Sequence, residues 1–131
     1  MDDKRSGSGK PLRETWLDER CYVSEWWNRH DDEPVSVARV RVEPGVTTAL
    51  HRLRDITERY LILSGRGRVE VDGRTRDVGP GDRVLIPPGI SQRITNTGEK
   101  DLGFLAVCTP RFRPDAYEDL EANSPAYSRA P

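Results

Sequence analysis

The chain has 131 residues, of which 34% are apolar and 33% are charged, and its formal net charge is −1. This length fits one domain that buries about two thirds of its unfolded surface, so it can form a core without disulfide bonds. A net charge near zero gives no reason to expect nucleic acid as a partner. No apolar run approaches the roughly 20 residues needed to span a bilayer, so no membrane partner is expected either.

Short strand-like runs follow one another along the chain. In 35–42, Val40 and Val42 fall on one face and arginines on the other, as in a half-buried strand. The dipeptide Asp72-Gly73 is a strong signal for a hairpin turn. The remaining predicted strands are 21–27, which is expected at a sheet edge, and 51–53, 58–62, 66–71, 74–78, 83–86, 90–96 and 102–108. About nine short strands without a βαβ unit predict an all-β fold, either an antiparallel barrel or a double-sheet jelly roll.

The ends of the sequence and its two cysteines carry separate expectations. Residues 1–14 are polar and rich in Gly and Ser, which predicts a disordered tail and no signal peptide. Residues 114–131 begin with a proline and acidic residues, which predicts a short helical segment followed by a loose tail. Cys21 and Cys108 lie in apolar surroundings, so we expect reduced thiols in a cytoplasmic protein, with a single bridge between them as the alternative.

The stretch Gly45–Gly65 contains one of the two histidines, seven residues before a glutamate. Alternate residues of a strand share a face, so His51 on one strand and Glu58 with Tyr60 on the next are predicted to face one interior. A histidine and a carboxylate that converge inside a β-structure fit metal binding or acid/base chemistry. The alternative is a structural pair, in which His51 and Glu58 hydrogen-bond to each other and Gln92 satisfies a neighbour.

The spacing in this stretch resembles the first motif of the cupin superfamily. That motif reads Gly, five residues, His-x-His, three or four residues, Glu, six residues, Gly. Here Gly45, His51, Glu58 and Gly65 stand at matching positions, whereas Leu53 occupies the place of the second histidine. The leucine preserves the strand and removes a ligand.

A second stretch resembles the second cupin motif, which reads Gly, five residues, Pro-x-Gly, two residues, His, three residues, Asn. Gly81, Pro87, Gly89 and Asn96 match it, and Gln92 replaces the histidine. The resemblance covers about residues 35–108 and implies a cupin barrel, a double-stranded β-helix, over residues 15–113. The layout is similar to that of small cupins related to the sugar-phosphate isomerase barrel, the RmlC-like cupins.

The resemblance implies a metal site made of the residues at the ligand positions. Carried over position by position, these are His51, Glu58 and Gln92, which could hold Mn, Zn, Ni or Fe weakly because an amide oxygen is a poorer ligand than imidazole. The implied activity is isomerase, cyclase or lyase chemistry on a small oxygenated molecule, with Tyr60 or Glu58 handling protons, and dioxygenase chemistry is least favoured. The alternative is a metal-free module that binds a small ligand, such as a sensor.

The resemblance also implies a homodimer. Small cupins commonly pair through a sheet face or an exchanged N-terminal strand, and Tyr22, Trp26 and Trp27 could supply such a surface. The expected partners are therefore a small-molecule ligand or substrate and a second copy of the chain.

Overall fold

Two antiparallel β-sheets face each other in the structure, a computed structural model that describes residues 12–121. With strands numbered in chain order, one sheet has the spatial order β1 (Thr15–Leu17), β2 (Cys21–Asn28), β3 (Ser36–Val42), β10 (Leu102–Thr109), β5 (Thr57–Ser64) and β8 (Arg83–Ile86). The other has the order β11 (Tyr117–Asp119), β4 (His51–Leu53), β9 (Gln92–Asn96), β6 (Gly67–Val71) and β7 (Arg74–Val78). The predicted all-β jelly roll is confirmed.

The core fills the space between the two sheets, because inward and outward residues alternate along the strands. Val40 and Val42 of β3 are buried, as their spacing predicts. Phe104 of β10 packs against Tyr60 of β5 with ring centroids 4.5 Å apart, and Ile94 of β9 approaches from the second sheet with no exposed surface.

The hairpin between β6 and β7 turns at the predicted dipeptide. Val71 pairs with Arg74, so Asp72 and Gly73 form a two-residue loop. Their φ angles of 54° and 76° are both left-handed, as a type I′ turn requires.

The N-terminal edge of the six-stranded sheet differs from the expectation. The stretch 21–27 does form a strand, but β1 pairs with it through Trp16 and Tyr22, so β1 occupies the edge instead. Three residues in a polar context give too short a pattern for period-two alternation to detect. Most of the predicted disordered tail, residues 1–11, lies outside the described residues.

The predicted C-terminal helical segment is wrong beyond its first turn. Pro114–Ala116 form a single 3-10 turn, and Tyr117–Asp119 continue as strand β11, which pairs with β4. The reason is tertiary: β4 would otherwise present an unpaired edge, and its pairing with β11 outweighs a weak local helix signal. Residues 122–131, the predicted tail, are outside the described part of the chain. Within residues 12–121, no helix is long and apolar enough to cross a membrane.

Both cysteines are free and buried, as expected, and they form no bridge. Burial raises the pKa of both thiols above the ordinary value. Because the thiolate is the reactive form, neither cysteine is a candidate nucleophile.

Candidate functional site

A cavity of about 530 Å³ lies against the inner face of the six-stranded sheet. Its walls are mainly apolar and aromatic and include Trp27, Phe104, Phe112 and Tyr117. The volume and the apolar lining are typical of a pocket for a small molecule. The polar side chains on its wall that matter below are Glu19, His51, Glu58 and Tyr60.

His51 lies on β4 and is oriented by contacts on two sides. Its Nδ1 is 2.8 Å from the carbonyl oxygen of Ala49, and its ring stacks on Tyr117 with centroids 4.8 Å apart. A carbonyl oxygen can only accept, so Nδ1 carries the proton and Nε2 keeps the lone pair. Burial lowers the pKa of His51, against the Ala49 hydrogen bond and nearby carboxylates, which raise it. The ring is therefore neutral, with Nε2 as its basic atom.

Glu58 lies on β5 and presents a buried carboxyl to the same cavity. It is 8% exposed, and its Oε1 has no hydrogen-bond partner among the described residues. Burial raises the pKa of Glu58 to about 7, while the neighbouring polar groups of Gln92 and Cys108 act in the opposite direction. The carboxyl therefore holds a proton near neutral pH that an exposed glutamate would lose.

Tyr60 and Gln92 form a buried hydrogen-bonded pair beside Glu58. The Tyr60 hydroxyl donates to Oε1 of Gln92, whose Nε2 has no partner of good geometry within residues 12–121. Burial, with nearby carboxylates, raises the pKa of Tyr60 well above its ordinary value. Tyr60 is thus a neutral phenol whose proton is directed at Gln92.

The structure brings together three of the four residues singled out by the sequence. His51, Glu58 and Tyr60 line one cavity, whereas Gln92 pairs with His51 across β4 and β9, is fully buried and is not part of the cavity wall. The His51 ring donates to Ala49 and not to Glu58, so the alternative of a simple hydrogen-bonded pair does not describe the site. Catalytic roles for His51, Glu58 and Tyr60 stay predictions.

Glu19 is a site residue that the sequence analysis missed. It lies in the turn between β1 and β2, and its carboxylate is 3.9 Å from Nδ1 of His51. Burial raises the pKa of Glu19 to about 7, helped by the neighbouring carboxylates of Glu58 and Asp119. A charged turn carries no periodicity, so nothing in the sequence distinguishes Glu19 from a solvated loop residue.

The turn that carries Glu19 is fixed at both ends of its backbone. The carbonyl oxygen of Glu19 accepts from the N–H of Ala49 at 3.0 Å. Arg20 has a φ of 70°, and its Nε donates to the carbonyl oxygen of Thr47 at 2.6 Å. Its guanidinium also lies 3.3 Å from the carboxylate of Glu121. A left-handed arginine is uncommon and is held here by its surroundings, so the position of the turn that carries Glu19 is built into the fold.

The residues present do not fit a resident metal ion. Leu53 is buried on the cavity wall at the position of an expected ligand, and Oε1 of Gln92 is already used by Tyr60. Among residues 12–121, no group of three or more His, Cys, Asp or Glu could hold a metal. Two donors, His51 and Glu58, fall short of the three protein ligands usual in a catalytic zinc site, and the proton on Glu58 would compete with the ion. The predicted ligand set stays untested by metal analysis.

A family model for the cupin domain matches residues 38–108. This match covers more than half of the chain, and the strands and motif glycines lie where the resemblance requires them. The chain belongs to the cupin superfamily.

Two relatives match a large part of the chain. It is 36% identical over 86 residues to an uncharacterised protein of Methanocaldococcus jannaschii, covering 66% of each chain. It is 39% identical over 70 residues to an oxalate-binding protein of Thermotoga maritima, covering 53% of this chain and 58% of the relative. The matches thus span less than two thirds of the length of these relatives.

Solved structures show the same fold. A crystal structure of a predicted oxalate decarboxylase from Thermotoga maritima superposes with a TM-score of 0.70 at 26% identity, covering 76% of this chain and 93% of that chain. The nucleoside dehydratase Pac13 superposes with a TM-score of 0.71 at 16% identity, covering 83% and 84%. At such identity the second likeness shows the fold alone.

Proposed function

We propose that this cupin binds a small oxygenated molecule in its cavity and catalyses proton transfer on it, as an isomerase or a lyase, without a resident metal. The observation that carries the proposal is the presence of a neutral His51 and a protonatable Glu58 on the wall of one mainly apolar cavity. Two groups whose environments set opposite protonation states can act as base and acid.

Each group suits its proposed role. Nε2 of His51 keeps its lone pair because Nδ1 donates to Ala49, so it can take a proton from a carbon or hydroxyl group. Glu58 holds a proton of its own near neutral pH and can donate this proton to an oxygen of the substrate. Tyr60 is a positioning residue that holds Gln92 beside Glu58.

Solvent deuterium exchange tests this proposal. The purified protein is incubated in D2O with a panel of hydroxy-aldehydes, hydroxy-ketones and hydroxy-acids, and mass spectrometry detects deuterium gain or loss of water. We expect exchange or elimination in at least one bound compound, and a rate at least about 100-fold lower in His51→Gln and Glu58→Gln.

The matched control is His30→Gln, which changes the other histidine of the chain, in an exposed turn. Its rate should equal that of the unsubstituted protein. Compounds that bind without exchanging or losing water would instead favour the ligand-binding or sensor module.

Metal loading should leave the unsubstituted protein nearly metal-free, because only two of the four ligand positions of the family, those of His51 and Glu58, present a donor to the cavity. Tag-free protein that has been reloaded with Mn, Fe, Zn or Ni and then dialysed should retain less than about 0.1 ion per chain by mass spectrometry. Leu53→His adds an imidazole at the missing position and should strengthen binding at least about tenfold. One ion per chain in the unsubstituted protein, released by His51→Ala, would restore the metal-assisted mechanism.

We also propose a homodimer in the cytoplasm. The free cysteines support a reducing compartment, and the six-stranded sheet exposes large apolar side chains, with Trp26 at 46%, Leu63 at 45% and Leu85 at 61%. Of the other two predicted interface residues, Tyr22 packs against Arg41, and Trp27 lines the cavity. Light scattering should give twice the mass of one chain, and Leu85→Lys should shift it toward one chain; a monomeric unsubstituted protein would contradict this.

A further inference from the structure

We propose that the ligand of this cavity carries a positively charged amine, and that Glu19 and Glu58 select it. The inference rests on the proposed use of the cavity as the ligand site and adds the charge of the ligand. It starts from Oε1 of Glu58, a buried carboxylate oxygen on the cavity wall without a hydrogen-bond partner among the described residues.

The cavity holds more negative than positive groups. The half-buried Glu19 and the buried Glu58 line it, and the exposed Glu25 and Arg13, which have opposite charges, also contribute to its wall; Arg13 is the one lysine or arginine there among the described residues. Arg13 is exposed and precedes β1, and His51 is neutral, so neither places a buried positive charge beside Glu58. Without a countercharge beside it, Glu58 therefore keeps its proton near neutral pH, and it ionises readily only when a positive charge binds nearby.

A cationic group between Glu19 and Glu58 would favour their ionised forms. The carboxylate of Glu58 raises the pKa of Glu19 electrostatically, and an ammonium group beside Oε1 of Glu58 would donate to this unpartnered oxygen and offset the negative charge. An anion of similar size would meet repulsion from the same carboxylates.

The backbone around Glu19 supports a role in selection. Arg20 adopts a left-handed conformation and is held there by Thr47, while Ala49 fixes the Glu19 carbonyl oxygen. The chain keeps this unfavourable conformation and directs a carboxylate into a cavity that already contains another. Without a positive charge near them, these two carboxyls can ionise together only at a cost in free energy.

The inference separates this protein from its relative that binds oxalate. Oxalate is a dianion, and here no resident metal offsets its repulsion by Glu19 and Glu58. Glu19 also precedes the residues that match the family model, 38–108, so its part of the charge on this wall lies outside the matched segment.

Three probes of the same shape and different charge test the inference: benzylamine, benzyl alcohol and benzoate. Calorimetry at about pH 8, where the amine is protonated and the carboxylates are ionised, should show benzylamine binding at least about tenfold tighter than benzyl alcohol, with benzoate weakest. Glu19→Gln should reduce the affinity for benzylamine at least about tenfold and leave that for benzyl alcohol within about twofold.

Asp18→Asn is the matched control, because it removes one carboxylate from the same turn outside the cavity wall and should leave all three affinities unchanged. Glu58→Gln gives a second test if Glu19→Gln does not fold. Equal or tighter binding of benzoate, an unchanged affinity in both variants, or binding of none of the probes would overturn the inference. Proton transfer by His51 is measured separately by deuterium exchange, so the proposed catalysis can hold even when the inference about the charge of the ligand fails.

Discussion

Raising the pH from about 5 to about 8 should destabilise the protein by on the order of 3 kcal/mol through Glu58 alone. The pKa of Glu58 is raised from 4.5 to about 7 by burial, and that of Glu19 is raised to the same region. Between these pH values the folded protein keeps protons that the unfolded chain has lost. The stabilisation is therefore complete below about pH 4.5 and is lost as the pH rises through about 7.

Denaturant unfolding at several pH values between about 5 and 8 measures this loss. Glu58→Gln removes the titrating group but keeps nearly the same side-chain shape. It should therefore remove a large part of the pH dependence of the free energy of unfolding. Glu43→Gln, which removes an exposed carboxylate, is the control and should leave the slope unchanged. A profile that is equally steep in Glu58→Gln would mean that the carboxyl does not hold its proton in the folded state.

Gly65→Ala should destabilise the fold by about 3–5 kcal/mol, which is in the range of severe backbone substitutions. Gly65 has a φ of +83°, and a Cβ at this position would lie 2.5 Å from the carbonyl oxygen of Asp101 and 2.8 Å from Cα of Leu102. Both neighbours are backbone atoms at the start of β10, so they can move only if the strand moves. Urea unfolding with circular dichroism measures the change in free energy.

Gly89→Ala is the matched control for this prediction. Gly89 has a similar φ of +77°, but a Cβ there would meet nothing within 4 Å. Its cost should therefore be only the left-handed conformation, about 1 kcal/mol. Equal losses in the two variants would show that the conformation, and not the contact with the backbone of β10, makes glycine necessary at 65.

The fold could be predicted from the sequence because its signals are local. Alternation in β3 placed Val40 and Val42 inside, and the Asp72-Gly73 dipeptide fixed a hairpin whose geometry needs two left-handed residues. The two short edge strands were not predictable in this way. Both β1 and β11 have three residues and are stabilised by pairing with β2 and β4, so their structure depends on contacts far away in the chain.

The candidate site was predictable only where the strand spacing determined it. Period-two alternation brought His51, Glu58 and Tyr60 to one cavity, because they lie on central strands. The spacing could not show that the Tyr60 hydroxyl donates a hydrogen bond to Oε1 of Gln92, which competes with any use of this oxygen as a metal ligand. Nor could it show Glu19, which reaches the cavity through a left-handed turn at the next residue.

The pairing of β11 with β4 has a consequence for how this protein is compared with others. Tyr117 of β11 stacks on His51, and Glu19 lies in the turn that precedes β2. Both residues lie outside 38–108. Relatives can therefore share every motif residue of the barrel and still differ in what they bind. An alignment restricted to the central segment therefore omits part of the pocket wall, because Glu19 and Tyr117 are contributed by the two flanks.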